Sequence, residues 1–282
     1  MLDTEQLEKA IFWACEHEVC SPKPGNVNCY SPGHNMQLED FIKSARAIAP
    51  VLSQAEPSVG QLILQSIKAT RSVVNCNTNL GIVLLFAPLC KAVHNCESIE
   101  QLPESLNTVL LNLDVNDAID CFEAIRLAEA GGLGVNEQHD INTQPTISLL
   151  AAMDYAKNYD NIAKQYTNNF KDILQSGLPH LTEAINYGES IEWASAFAYL
   201  KLLSLIPDTL ISRKHGMGCA ESVLEHSACI LVKVSENNRL SHFERDIKAW
   251  DKELKKKAIN PGTTADMTAA TLLIYAFKQM LS

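Results

Sequence analysis

Apolar residues recur at spacings of three and four along most of the chain, and this periodicity limits the possible folds more than any other feature. An α-helix has about 3.6 residues per turn, so this spacing gathers apolar side chains on one face, whereas a β-strand alternates them between two faces. Three of the clearest groups are Leu7, Ile11 and Ala14; Leu62, Ile63 and Ile67; and Ala118, Phe122 and Ile125. No alternating run lies between convincing hairpin turns. The sequence therefore predicts an all-α protein.

Local signals predict where several helices begin. Asp3 followed by Gln6 forms a capping-box pattern, Pro145 follows Thr143 at the opening of a predicted helix, and Asp208 precedes another. Loops rich in glycine, proline and asparagine are predicted at 21–36, 75–81, 131–145, 207–218 and 260–264. Because no linker or repeat interrupts the pattern, we predict a single all-helical domain over residues 1–282.

The composition is that of a globular protein, with 46% hydrophobic residues and a formal net charge of −10. This acidity disfavours binding to nucleic acids or anionic membranes, since both need basic surfaces. Nine cysteines without a CxxC pair predict buried, reduced thiols rather than a zinc site or a disulfide framework. The acidic N-terminus lacks signal-peptide features, and apolar runs such as 80–90 are shorter than the ~20 residues that span a bilayer. We expect a cytoplasmic protein and leave its oligomeric state open.

The loop Ser21-Pro22-Lys23-Pro24-Gly25-Asn26 follows the first predicted helix and has a composition suited to anion binding. Its two prolines stiffen the backbone, and Gly25 permits a close approach or a turn with positive φ. Lys23 would present a positive charge to a phosphate, and His34 could donate to the same anion or transfer a proton. The alternative is a simple turn between two helices with an exposed lysine.

The segment 75–81 places three asparagines and a threonine at the start of a strongly apolar helix. A helix N-terminus attracts anions, and asparagine amides can recognise sugar hydroxyls and bases. Asn77, Thr78, Asn79 and Gly81 are therefore candidate nucleotide contacts. The alternative is N-capping by Thr78 or Asn79, which is worth ~1 kcal/mol.

Three aspartates, Asp114, Asp117 and Asp120, are about 60° apart around a predicted helix and share one broad face. Stabilisation of a first helical turn accounts for Asp114 and Asp120, which leaves Asp117 as a candidate Mg²⁺ ligand. Glu123 and Arg126 are expected to form a solvated salt bridge.

A dense basic patch, Arg213, Lys214 and His215, precedes Gly216. In an acidic protein this patch is a candidate cradle for an oligophosphate. The lysines at 255–257 are instead expected to form a solvated helix end that complements the helix dipole.

A second Pro-Gly turn occurs in the segment Asn260-Pro261-Gly262-Thr263-Thr264-Ala265-Asp266. It predicts a helix that Thr263 or Thr264 caps, with Asp266 in its first turn. Asp266 could equally hold a metal ion or accept a proton beside a cleft.

Taken in order, the motifs SPKPGNV, PGHNM, NTNLG, AIRLAEAGGLG, DTLISRKHG and NPGTTADM resemble the triphosphoribosyl-dephospho-CoA synthase family. The resemblance covers nearly the whole chain. It implies an all-helical enzyme that binds ATP with Mg²⁺, transfers its triphosphoribosyl part to a ribose hydroxyl of dephospho-CoA and releases adenine. The Pro-Gly loops would then be walls of a nucleotide cleft.

The sequence departs from the family pattern at four positions in three motifs. Asn28 stands where KPGLVD has its aspartate, Asn35 where HxDM has its aspartate, and Asn79-Leu80 where NTHKG has His-Lys. These changes remove a phosphate contact and a possible metal ligand, so both the acceptor and the donor stay open. They resemble the branch found in archaea and methylotrophic bacteria beside tetrahydromethanopterin-type one-carbon cofactor pathways.

The implied reaction requires residues that clamp the triphosphate, deprotonate the acceptor hydroxyl and protonate adenine. We assign phosphate contacts to Lys23, Arg213 and Lys214, metal contacts to Glu18, Asp117 and Asp266, sugar or base contacts to Asn77, Thr78 and Asn79, and proton transfer to His34 or Asp140. The other nucleotide-binding candidates are Gly25, Gly81, Gly216, Asn260, Gly262 and Thr263. Two alternatives stay open: ATP-dependent phosphoryl or adenylyl transfer in the same cleft, and a non-catalytic helical protein that binds nucleotides.

Overall fold

The computed structural model describes residues 1–33, 36–129, 141–235 and 239–281. Within these ranges the regular structure is helical, with two isolated bridges, Asn28–Ser31 and Gly33–Met36, in place of strands. The prediction of an all-α protein is confirmed. The α-helices are α1 Thr4–Cys20, α2 Leu38–Leu52, α3 Val59–Val73, α4 Leu80–Val93, α5 Leu102–Leu111, α6 Val115–Ala128, α7 Leu149–Ala156, α8 Asn161–Thr167, α9 Leu178–Asn186, α10 Ile191–Leu205, α11 Thr209–His215, α12 Met217–Ser235, α13 Glu244–Lys256 and α14 Gly262–Met280.

The chain divides into two compact units. The first unit contains Met1–Ala14, Asp40–Phe170 and Leu273–Ser282, and the second contains Cys15–Glu39 and Lys171–Leu272. The single-domain assignment stays a prediction.

The first unit is built around α4, the strongly apolar helix that the sequence predicts. Its side chains are buried over nearly its whole length, and it packs against α3, α5 and α8. The hydroxyl of Tyr166 in α8 donates to the carbonyl oxygen of Leu84 in α4 at 2.6 Å. Helices α3 and α6 approach closely at Gly60, where an added Cβ would lie 2.5 Å from the Cα of Asp117. Glycine is therefore required at this crossing.

The second unit has a core formed mainly by α10, α11, α12 and α13. Its buried members include Tyr199, Leu203, Ile211, Val223 and Trp250. The buried Ser227 hydroxyl donates to the carbonyl of Leu200 at 2.8 Å, so a polar side chain of α12 is satisfied by the backbone of α10.

The helix starts differ from the predictions in two places. The Asp3–Gln6 capping box and the Asp208 cap are confirmed. However, the helix predicted to open at Pro145 is α7, which begins at Leu149 with Ser148 as its cap. The predicted loop 207–218 also contains the short helix α11.

All nine cysteines lie among the described residues, and each is a free thiol. Cys15, Cys90, Cys96 and Cys121 are buried, as predicted, but Cys29 and Cys229 are exposed. The prediction of uniformly buried thiols is therefore wrong for these last two.

No single helix in the described ranges is long and apolar enough to cross a membrane. The pair Ile191–Leu205 and Thr209–His215, bent by 58°, meets the same criterion of length and composition when taken together. Much of this pair is core, since eight residues of α10 are buried inside the protein.

Candidate functional site

The loop after α1 carries a buried ion pair instead of an exposed lysine. The Lys23 side chain is 0% exposed, and its Nζ lies 2.9 Å from Oε1 of Glu18, which is 3% exposed. Lys23 also donates to the carbonyl oxygens of Glu18 and Val27. Burial raises the pKa of Glu18, and the charge and hydrogen bond of Lys23 oppose that rise. The alternative of a simple turn with an exposed lysine is wrong.

Gly25 is in the conformation that the sequence predicts, with φ of +83°. A Cβ at this position would also meet the Pro261 ring at 2.9 Å and the carbonyl oxygen of Ile259 at 3.0 Å. The amide of Asn26 donates to Oδ1 of Asn260 at 2.8 Å. The two Pro-Gly segments are therefore in direct contact within the second unit.

Sequence reasoning missed Asp251, which joins α13 to the same loop. Its Oδ1 accepts from the Gly25 backbone N–H at 2.9 Å and from Nδ2 of Asn28 at 3.3 Å. Its Oδ2 accepts from the Ser31 hydroxyl and from Nζ of Lys255, both at 3.0 Å. In the sequence, Asp251 and Lys255 look like an ordinary i,i+4 helix pair. No local signal distinguishes them.

Lys255 also corrects the prediction of a fully solvated lysine run. Its side chain is only 12% exposed, and it donates to both the carbonyl and the hydroxyl of Ser31. Burial lowers the pKa of Lys255, while its hydrogen bond and ion pair with Asp251 oppose this change. Lys256 and Lys257 are exposed, as expected.

Asp208 connects the starts of α11 and α14. Its Oδ1 accepts from the backbone N–H groups of Leu210 and Ile211, and its Oδ2 accepts from the N–H and hydroxyl of Thr264 at 2.7 and 2.8 Å. Burial raises the pKa of Asp208, which is 0% exposed, and these hydrogen bonds oppose the increase. The carboxylate therefore satisfies donors at two helix N-termini.

Tyr199 shows that the polar segments of the second unit converge. Its buried hydroxyl donates to the Pro24 carbonyl at 2.8 Å. Burial raises the pKa of Tyr199 well above its ordinary value, and the charges of Asp208, Asp251 and Glu18 raise it further. Hydrogen bonds join the segments around Tyr199, from Gly25 to Asp251, from Asn26 to Asn260 and from Thr264 to Asp208, so these segments form one polar cluster.

The other predicted residues of the second unit lie around the short helix α11 and the start of α14. Arg213 is half-buried and Lys214 exposed in the last turn of α11, and Gly216 follows with φ of +86°. The buried Thr263 hydroxyl accepts from that of Thr209 at 3.2 Å. Helix α14 begins at Gly262, so neither threonine is its cap. Asp266 is half-buried beyond the first turn, which corrects that part of the prediction.

In the first unit, the asparagine-rich segment is held by its own hydrogen bonds. Asn79 occupies the N-cap position of α4, as the alternative prediction allowed, but its side chain makes no capping bond, and Asn77 accepts from the Leu80 N–H at 3.2 Å instead. The Thr78 hydroxyl is 2.6 Å from that of Ser44, and the Asn79 amide exchanges hydrogen bonds with the Thr70 hydroxyl. Gly81 lies inside α4.

Asp117 occupies the third position of α6 and forms a capping box with Asp114. Its Oδ1 accepts from the Ser58 hydroxyl at 2.8 Å and from the Gly60 N–H at 2.7 Å, and its Oδ2 accepts from the Asp114 N–H at 3.0 Å. These bonds tie α6 to the start of α3. They also occupy much of the carboxylate's capacity to accept.

Two further features of the first unit were not predicted. Glu123 pairs with Lys68 at 3.0 Å, whereas Arg126 donates to the Ile141 carbonyl, so the expected Glu123–Arg126 bridge is wrong. A polar cleft of about 640 Å³ lies beside Asp117.

The described residues do not fit a resident metal site. Within them, no group of three or more histidine, cysteine, aspartate or glutamate side chains is arranged to hold an ion. Glu18 is paired with Lys23, and Asp117 is engaged by three donors. The predicted proton-transfer residues, His34 and Asp140, lie outside the described residues.

Residues 4–282 match the family CitG: ATP:dephospho-CoA triphosphoribosyl transferase. The chain belongs to this family. The family resemblance inferred from the motifs is therefore confirmed, and the protein is a transferase of the CitG family.

Individual relatives agree with this assignment. Two Vibrio cholerae proteins, from strains M66-2 and ATCC 39315 / El Tor Inaba N16961, are each described as a probable 2-(5''-triphosphoribosyl)-3'-dephosphocoenzyme-A synthase. Each is 25% identical to this CitG-family chain over 293 residues, which cover 92% of this chain and 84% of the relative. A crystal structure of a candidate triphosphoribosyl-dephospho-CoA synthase from Archaeoglobus fulgidus is similar in fold, with a TM-score of 0.64 at 24% identity. The match covers 83% of this chain and 97% of that one.

Proposed function

We propose that the protein transfers the triphosphoribosyl group of ATP to a hydroxyl of dephospho-CoA or a related cofactor precursor. The observation that carries this proposal is the family match, which extends from residue 4 to residue 282. The polar cluster around Tyr199 supports it, because hydrogen bonds from Asn26 to Asn260 and from Thr264 to Asp208 join three of the motifs that carry the resemblance, SPKPGNV, DTLISRKHG and NPGTTADM.

In this reaction the acceptor oxygen forms a bond to C1′ of the ATP ribose as the bond from C1′ to adenine breaks. Adenine leaves with the bonding electrons and takes up a proton, the acceptor hydroxyl loses its proton, and the triphosphate stays on the ribose. Positioning of the reactants can supply about 7–11 kcal/mol, and proton transfer about 10²–10⁴-fold in rate. A well-fixed binding surface therefore matters more here than any single proton carrier.

The half-buried Arg213 and exposed Lys214 are proposed to contact the triphosphate. Lys23 is enclosed, so we propose that its charge acts mainly by balancing Glu18 and bracing the loop. Asn77, Thr78 and Asn79 are proposed for sugar or base contacts, and His34 or Asp140 for proton transfer. Because the described residues do not fit a resident metal, we propose that Mg²⁺ enters as part of the MgATP substrate.

The chemical identity of the acceptor is a more specific part of this proposal. Asn28 and the NTNLG segment differ from the family pattern at polar positions, which supports an acceptor other than dephospho-CoA itself. We propose a precursor of a one-carbon cofactor of the tetrahydromethanopterin type as the first such acceptor to test. Parallel assays with dephospho-CoA and with a pterin-ribosyl precursor would decide between them, since the true acceptor supports faster adenine release.

Chromatography of the nucleotide products tests the reaction itself. With MgATP and the correct acceptor, we expect free adenine in an amount equal to the product formed. ADP would indicate phosphoryl transfer and AMP adenylyl transfer, and either would overturn the proposal. Binding of ATP without turnover on any acceptor would instead favour a non-catalytic protein.

A matched pair of lysine variants tests the phosphate contact. Lys214→Ala should raise the KM for ATP about tenfold, because a hydrogen bond to a charged group contributes about 1.5–3 kcal/mol. Lys256→Ala removes an exposed lysine of α13 and should leave the KM unchanged. Equal KM values for the two variants would remove Lys214 from the site.

A further inference from the structure

Asp251 joins α13 to the loop that contains Lys23 through several hydrogen bonds. It lies near the middle of α13, and the residue is 8% exposed. Three of its four donors come from the loop, at Gly25, Asn28 and Ser31, and the fourth is Lys255 in its own helix. Both carboxylate oxygens therefore bind the loop.

Lys255 completes the attachment from the other side of Ser31. Its Nζ donates to the Ser31 carbonyl at 3.1 Å and to the Ser31 hydroxyl, while the same hydroxyl donates to Asp251. A buried charge is costly unless it is paired and hydrogen-bonded, and here each charge satisfies the other. The pair thus holds residues 25 and 31 at fixed positions relative to α13.

The position of Asp251 matters because Gly25, which it binds, lies within two residues of Lys23 and Asn26. Lys23 is two residues before Gly25, and Asn26 follows directly and bonds to Asn260 of the second Pro-Gly segment. Movement of Gly25 would displace both neighbours. In a transfer reaction, a displacement of about 1 Å can cost about 10²-fold in rate.

We propose that Asp251 is a positioning residue for triphosphoribosyl transfer, which together with Lys255 fixes residues 25–31 in the conformation that binds MgATP. This inference rests on the proposed function for its kinetic consequence. Its effect on the loop and on ATP affinity can be measured without turnover.

Asp251→Asn keeps the shape of the side chain but removes its charge and turns one acceptor into a donor facing Ser31 and Lys255. We expect hydrogen exchange of the 25–31 amides to rise about tenfold, and the Kd for MgATP measured by calorimetry to rise by a similar factor. Asp246→Asn changes an exposed aspartate of the same helix and should alter neither. Ser31→Ala loses only the hydroxyl contacts, so it provides a second test if Asp251→Asn fails to fold. For this variant we expect the exchange rate of the 25–31 amides and the Kd for MgATP each to rise about threefold.

Kinetics separate positioning from a loss of folded protein. Partial unfolding would lower kcat at constant KM, whereas a displaced loop should raise the KM for ATP. Asp251→Glu, which keeps the carboxylate, should have a KM between those of the wild type and Asp251→Asn. Faster loop exchange with an unchanged Kd would overturn the inference and leave Asp251 as a structural residue. If wild-type protein binds MgATP but releases no adenine, the proposed function fails, while the exchange and Kd measurements still decide the role of Asp251.

Discussion

Buried charges in the second unit are balanced residue by residue. Glu18 is paired with Lys23, Asp251 with Lys255, and Asp208 with backbone and hydroxyl donors of two helices. Each arrangement meets the requirement that a desolvated charge be hydrogen-bonded. The polar cluster is therefore a fixed structure, and removing one member should expose the cost of burying its partner.

The Lys23–Glu18 pair provides the first prediction. Lys23→Met should lower the free energy of unfolding by about 3–5 kcal/mol, because it leaves the Glu18 carboxylate buried without its partner. Adding Glu18→Gln should restore part of this loss, since the two residues are coupled. Urea unfolding measures both changes. Lys9→Met, in the exposed pair with Glu5, is the control and should change the unfolding free energy far less than Lys23→Met does. A loss that is fully additive would contradict the coupling.

His94 provides a prediction on pH dependence. Burial, assisted by the charge of Lys91, lowers the pKa of His94, and its Nε2 is buried without a hydrogen-bond partner among the described residues. The unfolded chain therefore binds a proton at His94 more readily than the folded chain does. The stability is fully present above the unfolded pKa of about 6.5 and is lost as pH falls through the lower pKa of the folded chain. Between about pH 7.5 and about pH 5, wild-type protein should lose more unfolding free energy than His94→Gln, by at most about 1.4 kcal/mol per pH unit.

Chemical unfolding at a series of pH values gives this comparison directly. His242→Gln, at an exposed position, serves as the control and should follow the wild-type curve. Parallel curves for wild type and His94→Gln would show that His94 titrates alike in the folded and unfolded chains.

At the level of elements, helices and caps could be predicted from neighbouring residues, whereas contacts between distant segments could not. The all-α class, the Asp3 capping box and the Asp208 cap follow from residues within one or two turns of each other. The bond from Gly25 to Asp251 joins positions 226 residues apart, and no local pattern encodes it. The same limit explains why the burial of Lys23 could not be predicted, since only the packing of distant segments encloses it.

The crossing of α3 and α6 provides a prediction at this level. A methyl group at Gly60 would lie 2.5 Å from Cα and 2.7 Å from the carbonyl oxygen of Asp117, which are backbone atoms that cannot rotate away. Gly60→Ala should therefore lower the unfolding free energy by about 1–3 kcal/mol, as overpacking does. Gly218→Ala, in α12 with nothing within 4 Å of the added atom, should be neutral or stabilising by up to about 1 kcal/mol. Thermal unfolding compares the two, and a tolerated Gly60→Ala would contradict the close approach.

For the whole molecule, the two units are assembled from segments that are separate in the sequence. Leu273–Ser282 belongs to the first unit together with Met1–Ala14, and Trp13 stacks on Tyr275 with ring centroids 6.3 Å apart. The sequence shows no boundary at these junctions because both sides share the same helical periodicity. The discontinuity could therefore not be predicted from composition.

The packing of the C-terminal part of α14, within Leu273–Ser282, gives a prediction for the whole molecule. Phe277 is 0% exposed, so Phe277→Ala should cost about 3–5 kcal/mol of unfolding free energy. Met280→Ala, at a side chain that is 39% exposed, should cost much less. Similar losses for both variants in urea unfolding would contradict the assignment of Phe277 to the core.

This discontinuous assembly has a consequence for biosynthesis. Domains commonly fold as units while the ribosome is still adding residues. Here residues 1–14 and 40–170 lack part of their packing until residues 273–282 have been synthesised. The nascent first unit must therefore keep apolar surface uncovered while residues 171–272 of the second unit are translated, and that surface is open to chaperone binding during this period.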